Sequence, residues 1–409
     1  MKGEHGSPPK RPRGRTGRTG RILVLAALGL ACVLPCAAEP EWGGYYEGQV
    51  TGWQVGARLL WRTTNRLRLN LAADMGYSAS AAAHLVFATA SGLDALPLEA
   101  LLPEEQASAL EAALGPGAAA ALSLPLSESA AWCSVHDAFV TLYPGSFLVR
   151  VGRQQLPWGT GYAWNPTDVF SPKDLFEPTY ERPGVDAVKA EWGFGESGAL
   201  TLVWLPDGAW PDTTRAARFR WGWGVFDASL SWIEHACVRY DALAGAAPRE
   251  TRRLAGADLV GQVLGLGVWA EGAYVLGPGG GEHGQAVGGA DYTFDFQTTL
   301  MLEYFHDDAG RAGGYRLADW LDLAFGNRRT LGRDYLMARI AHPVHPFVEL
   351  ELSAIANLRD GSSVWLPGLI YTFSDNLELT LSGAVFAGGD TSEYGAWGDF
   401  GFLRGRAYF

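Results

Sequence analysis

Apolar and polar residues alternate with a period of two along much of this chain. In one of the clearest segments, Leu67, Leu69 and Leu71 fall on one face, whereas Arg66 and Arg68 fall on the other. This period is that of a β-strand with one apolar and one polar face. A sandwich of two packed sheets would show the same alternation, so the pattern by itself leaves open what the apolar face contacts.

The N-terminus predicts export. Basic residues from Lys10 to Arg21 precede an apolar run from Ile22 to Leu34, and small residues follow up to Ala38. This order is that of a secretory signal peptide, and the apolar run is too short to span a bilayer. We expect residues 1–38 to be a signal peptide removed near Ala38, and residues 39–409 to form the exported protein.

Charge and hydropathy narrow the class of the exported part. Residues 1–38 carry seven basic residues and one acidic residue, so without them the formal net charge falls from −12 to −18, and we expect no nucleic-acid partner. No later stretch has about 18 uninterrupted apolar residues, which excludes helical membrane spans. A closed β-barrel pairs every backbone group and can still cross a lipid bilayer. The sequence therefore predicts an all-β, transmembrane antiparallel barrel in the outer membrane of a Gram-negative-type cell.

The connections between the predicted strands support a barrel. About seventeen segments carry the alternation, and short connections such as residues 63–65 alternate with long ones such as 78–132 and 155–183. Bacterial single-chain barrels have an even number of strands. We therefore predict about 16–18 strands and place the miscounted element near residues 42–53.

The last strand ends on an aromatic residue. Leu403, Ala407 and Phe409 share one face, and Arg404 and Arg406 share the other. This ending resembles the C-terminal signal by which outer-membrane proteins are recognised for insertion. The resemblance implies the outer-membrane insertion machinery as a partner, acting through Phe409.

A membrane barrel turns its polar side chains toward the lumen. The alternation places basic residues of the early strands and of the last strand on that side, together with acidic residues of the later strands. Opposed basic and acidic walls would orient dipolar solutes in a water-filled pore, whereas charges that pair with neighbours would only solvate a plugged interior. We predict a pore lined by Arg58, Arg62, Arg66, Arg68, Arg150, Arg218, Arg220, Arg404, Arg406, Glu271, Asp291, Asp295, Glu303, Glu349 and Glu351.

The segment 155–183 contains a doubled hexapeptide, NPTDVF followed by SPKDLF, at residues 165–176. Proline fixes φ, and Asp168 and Asp174 are placed to accept hydrogen bonds from nearby backbone N–H groups, so the repeat predicts consecutive tight turns. The segment also carries Trp158 and further aromatic residues, which makes it too apolar to remain in solvent. We expect it to fold into the barrel as a constriction loop.

Three short motifs in and before this segment point to a family. They are Gly152-Arg153-Gln154, Trp158-Gly159 and Asn165-Pro166-x-Asp168. Together they resemble the alginate-export-type barrels and a related set of porin-like Gram-negative outer-membrane proteins, over about residues 136–206. The predicted acidic wall argues against a polyanion as the solute. The resemblance implies a constriction or anchoring element built from Arg153, Gln154, Trp158, Asn165 and Asp168, to which we add Asp174.

Two further features stay open at the level of sequence. The Ala- and Leu-rich segment 78–132 contains a helix that begins after Pro103, and it would cap the mouth, plug the lumen or bind a partner subunit. Cys133 and Cys237 are the only cysteines after residue 38, and they either form one bridge or stay unpaired.

We expect no enzymatic activity, no metal and no cofactor. The acid–histidine sequence at residues 306–308 has no partner set for hydrolysis, and His342 and His345 lie in a proline-rich turn without a third metal ligand. The sequence thus predicts a passive channel for small hydrophilic solutes. The alternative is a barrel plugged by residues 78–132 and 155–183 that acts as a surface-exposed structural, adhesion or envelope-assembly protein.

Overall fold

Eighteen antiparallel strands form one sheet that closes on itself into a barrel. The computed structural model describes residues 40–118, 122–126, 129–177, 180–206, 210–241, 243–277 and 281–409, and the predicted signal peptide lies outside them. Each strand of the barrel pairs with the next one along the chain. The first strand, β1 (Glu41–Val55), pairs with the last, β20 (Phe400–Tyr408), which closes the ring with an even number of strands.

The remaining elements follow in chain order. Strands β4 (Ala95–Pro97) and β5 (Ser123–Pro125) pair only with each other, and helices α1 (Glu104–Leu114) and α2 (Leu317–Ala324) lie in connections. The other barrel strands are β2 (Arg58–Asp74), β3 (Ala79–Gly92), β6 (Ala131–Leu142), β7 (Phe147–Gln154), β8 (Val185–Phe194), β9 (Gly198–Leu205), β10 (Thr214–Trp223), β11 (Phe226–Val238), β12 (Arg249–Val263), β13 (Leu266–Leu276), β14 (His283–Thr293), β15 (Thr299–Asp307), β16 (Asp334–His345), β17 (Val348–Asn357), β18 (Ser363–Ser374) and β19 (Leu377–Ala387).

The two ends of the barrel carry different connections. At one end, which we call the turn end, the strands are joined by connections of two to five residues, and β1 begins and β20 ends there. The opposite end, which we call the loop end, carries the long connections 93–130, 155–184, 308–333 and 388–399. This asymmetry is typical of outer-membrane barrels and agrees with the alternation of short and long connections predicted from the sequence.

Two strand assignments made from the sequence were wrong. The strand missing from the predicted count is β3, within the predicted insertion 78–132, and not an element near residues 42–53. The sequence of β3 is alanine-rich, which gives almost no contrast between its two faces, and alanine is depleted in strands. Pairing with β2 and β6 supplies its hydrogen bonds, so the insertion begins only after Gly92. The turn predicted at residues 63–65 lies within the continuous strand β2. The chain turns at Gly56, whose φ of 57° favours glycine.

The outer face of the barrel is apolar and uncovered by protein. Leu59, Leu230 and Leu302 are each more than half exposed, with values of 55%, 62% and 55%. Trp53 alternates with the outward Gly52 and lies on the inner face. Large aromatic side chains are exposed near strand ends, where membrane-spanning barrels carry their girdles: Trp42, Trp61, Trp192, Trp221 and Trp223.

The long connections pack on one another at the loop end. Helix α1 follows Pro103 and ends at Gly115, as the sequence predicted. Leu110 of α1 is fully buried in a cluster with Trp320 and Leu321 of α2. We call this group of packed connections the outer cap.

Among the described helices, none is both long and apolar enough to cross a membrane. Within the described ranges, Cys133 and Cys237 are both free.

Candidate functional site

Residues 155–184, which we call the inner loop, connect β7 to β8. The described part of this loop, 155–177 and 180–184, runs inside the barrel. Trp164 of the loop is 2% exposed and stacks on Phe305 of β15, with ring centroids 5.3 Å apart. Trp158 packs edge-on against Phe170 at 5.0 Å, and both join a cluster on the inner faces of β8 to β13. The predicted inward-folded loop is therefore present, because its aromatic side chains are buried against the barrel wall.

One buried glutamate on the barrel wall, across from β7 and β8, accepts hydrogen bonds from the loop backbone. The carboxylate of Glu303, on β15, accepts hydrogen bonds from the backbone N–H groups of Tyr162, Ala163 and Trp164, with distances of 2.8 Å to Ala163 N and 3.1 Å to Trp164 N. It also accepts the indole N–H of Trp269 at 2.7 Å. Three consecutive N–H groups that converge on one carboxylate form a small anion-binding concavity, and here the anion belongs to the protein.

A second glutamate repeats this arrangement. Glu271, on β13, accepts hydrogen bonds from the backbone N–H groups of Thr160 at 2.8 Å and Thr167 at 2.6 Å, and from the Thr167 hydroxyl at 2.8 Å. Both glutamates were predicted to line a water-filled pore. Glu271 is 3% exposed and Glu303 is fully buried, so this prediction was wrong for both, because the inner loop covers them.

The doubled hexapeptide forms the predicted turns. Asp168 accepts hydrogen bonds from the N–H groups two and three residues later, at 3.2 and 2.9 Å, and Asp174 does the same at 2.8 and 3.4 Å. Arg182 forms an ion pair with Asp168 at 3.3 Å. Burial raises the pKa of Asp168, while the N–H donor of Ser171 and the charge of Arg182 act against that rise. The turns thus bring aromatic residues onto the wall while satisfying the loop backbone.

The other motif residues divide into two groups. Gln154 is fully buried and donates to the carbonyl oxygen of Ala187, and Asn165 is 3% exposed in the loop. Arg153, in contrast, forms a bidentate ion pair with Asp186 of β8, with both N–O distances at 2.9 Å, and donates to a β6 carbonyl. The hydrogen bonds of Arg153 therefore join strands and do not reach the inner loop.

The barrel wall formed by β1, β2 and β20 also faces the inner loop, and it is rich in arginine. We call Arg62, Arg66, Arg68, Arg404 and Arg406 of β2 and β20 the arginine face. At its centre lies Glu47 of β1, which is 1% exposed and was missed in the sequence, although it has the same parity as the inward Arg66 and Arg406 opposite it. Its carboxylate oxygens lie 2.6 Å from Arg406 Nη2 and 3.5 Å from Arg66 Nη1. The predicted basic wall is present, but it contains a buried acid.

The end of the inner loop rests on the arginine face. Tyr180 donates its hydroxyl hydrogen to Glu47 at 2.8 Å and accepts a hydrogen bond from Arg66, and the Arg404 guanidinium lies 4.5 Å from its ring centre. Glu177 accepts two hydrogen bonds from Arg404, at 2.8 and 3.1 Å. The loop thus crosses the barrel interior from β7 to the wall formed by β1, β2 and β20.

Two cavities flank the inner loop toward the loop end. One, of about 490 Å³, lies between the arginine face, the loop residues Asp174 to Glu177 and part of the outer cap. The other, of about 570 Å³, lies between loop residues 164–172, the inner faces of β11 to β15 and residues 326–330. Charged side chains line both cavities, and each cavity is large enough to hold several water molecules.

The remaining predicted lumen residues differ in their surroundings. Arg218 binds both carboxylate oxygens of Asp258, at 3.0 and 3.1 Å, and Arg339 lies 2.8 Å from Glu351. The sequence did not predict that these acids and bases pair with each other, because the register between strands determines which side chains meet. Asp295 lies in the 294–298 turn rather than on a strand, so its lumen assignment was wrong. The others lie on the inner parity of their strands: Arg58, Arg150, Arg220, Asp291 and Glu349.

Known proteins share the fold but not the sequence. Comparison of the sequence with family models and with curated proteins finds no match. Many solved structures resemble the chain over its length, among them the following three. OccAB2 of Acinetobacter baumannii has a TM-score of 0.56 at 9% identity, covering 91% of this chain and 98% of that chain. The fold is that of a porin-like β-barrel. OccAB1 of Acinetobacter baumannii gives 0.55 at 9% identity, with coverages of 90% and 96%, and OccK11 (OpdR) of Pseudomonas aeruginosa gives 0.54 at 11% identity, with coverages of 90% and 95%.

Proposed function

We propose that this protein is an outer-membrane channel for the passive diffusion of small hydrophilic solutes, with no chemical step. The observation that carries the proposal is the contrast between the two faces of one closed barrel. The outer face is apolar and bounded by aromatic residues, whereas the inner face holds arginines, carboxylates and polar cavities beside a loop that narrows the lumen. A wall that is apolar outside and charged inside suits a lipid-embedded water-filled pore.

The proposed pore is lined by the inward charged residues that the inner loop leaves accessible. Glu349 keeps 43% and Arg66 31% of its side-chain surface exposed, and Arg220 is exposed near the turn end. In this proposal Trp158, Asn165, Asp168 and Asp174 fasten the constriction and do not touch the solute. Arg153 and Gln154 hold together the strands from which the loop departs. We further propose that Phe409 is the insertion signal and that residues 1–38 are removed after export.

A plugged barrel that acts at the cell surface is the second candidate. It is favoured by the outer cap, in which Leu98, Leu110 and Leu331 are fully buried. The experiment is planar-bilayer recording on refolded protein and on a variant in which residues 98–122 are replaced by a short Gly-Ser linker, which leaves β3 and β6 intact. Discrete conductance steps in both proteins support the channel. Silence in both contradicts it and supports the plugged barrel.

A further inference from the structure

The inner loop carries two carboxylates to the arginine face. Glu177 pairs with Arg404 through both carboxylate oxygens, and Glu181 pairs with Arg68 while accepting the Tyr45 hydroxyl at 2.8 Å. In the first pair one guanidinium nitrogen of Arg404 bonds to both carboxylate oxygens, and charge-assisted hydrogen bonds of this kind are also those by which arginine binds carboxylate ligands. The two loop carboxylates therefore stand where a carboxylate-bearing solute in this lumen would find its best donors.

These loop acids differ from the wall acid Glu47 in the element that carries them and in exposure. Glu47 is fixed on β1, and its side chain is only 1% exposed. The side chains of Glu177 and Glu181 keep 32% and 31% of their surface exposed, whereas those of the arginines beneath them, Arg404 and Arg68, keep 8% and 10%. The loop acids thus cover the arginines, and Glu177 borders the cavity of about 490 Å³.

The charge balance of the arginine face indicates that the loop acids partly neutralise it. Three of the five arginines share one wall carboxylate, because Glu47 pairs with Arg66, Arg404 and Arg406, so the face keeps an excess of positive charge without the loop. The two loop carboxylates reduce that excess. Exchange of a loop carboxylate for a solute carboxylate replaces one charge-assisted pair by a similar one, so the solute is held only weakly. Weak binding of this kind allows a solute to enter a channel and also to leave it.

We propose that Glu177 and Glu181 are built-in counterions that occupy the arginine face in the resting channel and yield it to a small carboxylate-bearing solute. The inference rests on the proposed function for its role in transport, but the binding step itself needs no ion flow. The loop acids then set the affinity of the channel: they weaken solute binding by competition and so prevent the arginines from trapping the solute.

Calorimetric titration with malonate in detergent tests the binding step. The double variant Glu177→Gln/Glu181→Gln removes both loop charges and keeps side-chain size, and we expect it to bind malonate roughly tenfold more tightly than the wild type. Glu196→Gln is the matched control. It removes one exposed carboxylate in the turn 195–197, at the opposite end of the barrel, and should leave malonate affinity unchanged. Should the double variant fail to refold, Glu177→Gln alone serves, with an expected gain of about threefold.

The outcomes separate this proposal from the channel itself. Equal malonate affinity in the wild type and the variant, or weaker binding in the variant, overturns the counterion role and leaves Glu177 and Glu181 as loop anchors. An equal gain in Glu196→Gln also overturns it, because that result indicates a general charge effect. Tighter binding together with a silent bilayer supports counterion exchange and refutes the channel. Tighter binding with stronger malonate block of the chloride current supports both.

Discussion

The hydrogen bonds around Glu303 make a direct prediction about the inner loop. Replacement of Glu303 by Gln preserves the shape of the side chain but removes its charge and turns one of the two acceptor oxygens into a donor. In the wild type the buried carboxylate accepts hydrogen bonds from three loop N–H groups and from the indole N–H of Trp269. In the variant about half of these donors lose their acceptor, in a position from which water is excluded.

The magnitude follows from the cost of such losses. A hydrogen bond to a charged group contributes about 1.5–3 kcal/mol, and losses within one network are not additive. We therefore expect the free energy of local loop opening to fall by about 3 kcal/mol. This corresponds to a roughly 100-fold larger equilibrium constant for opening. The loop amides that Glu303 binds should exchange with solvent faster by the same factor.

Native-state hydrogen exchange followed by mass spectrometry measures this effect on peptides that cover residues 160–166. Glu349→Gln is the control, because Glu349 also faces inward but is 43% exposed and has its nearest cationic partner, Arg339, 3.9 Å away. The reasoning is refuted if Glu303→Gln changes exchange by less than about threefold, or if Glu349→Gln accelerates it equally.

Three further predictions concern pH, selectivity and packing. Burial raises the pKa of Glu393, in the connection 388–399, from 4.5 to about 7, so the folded state favours the neutral acid. Its ionisation therefore costs stability, by about 3 kcal/mol in full, as pH rises from about 4.5 through 7, and proteolysis of that connection should increase over this range in the wild type but not in Glu393→Gln. Replacing Arg66, Arg68 and Arg406 together by Ser should shift the reversal potential toward cation selectivity, and an unchanged value would contradict a lumen that conducts past these residues. Trp164→Ala should lower stability by about 3–5 kcal/mol in detergent unfolding, since the ring is buried, and a loss below about 1 kcal/mol would show that the loop does not pack there.

Local patterns that depend on neighbouring residues were read correctly from the sequence. The alternation of Leu67 and Leu69 with Arg66 and Arg68 predicts their faces, because side-chain direction in a strand depends only on parity. The turns at Asp168 and Asp174 are also local, since each aspartate caps N–H groups within three residues. Strand β3 escaped prediction because its long-range pairing, and not its alanine-rich sequence, makes it a strand.

What each inward charge contacts was decided only by the tertiary structure. Parity alone gives Glu303 and Glu349 the same status, yet the inner loop covers the first and leaves the second exposed. Likewise, nothing near Glu177 in the sequence points to Arg404, which lies 227 residues later and reaches it across the lumen. The chain by itself determined a barrel with an apolar outside, a charged inside and a turn-rich loop. Closure of the ring and the path of that loop decided which charges neutralise one another, because such pairing depends on distance in space and not on order along the chain.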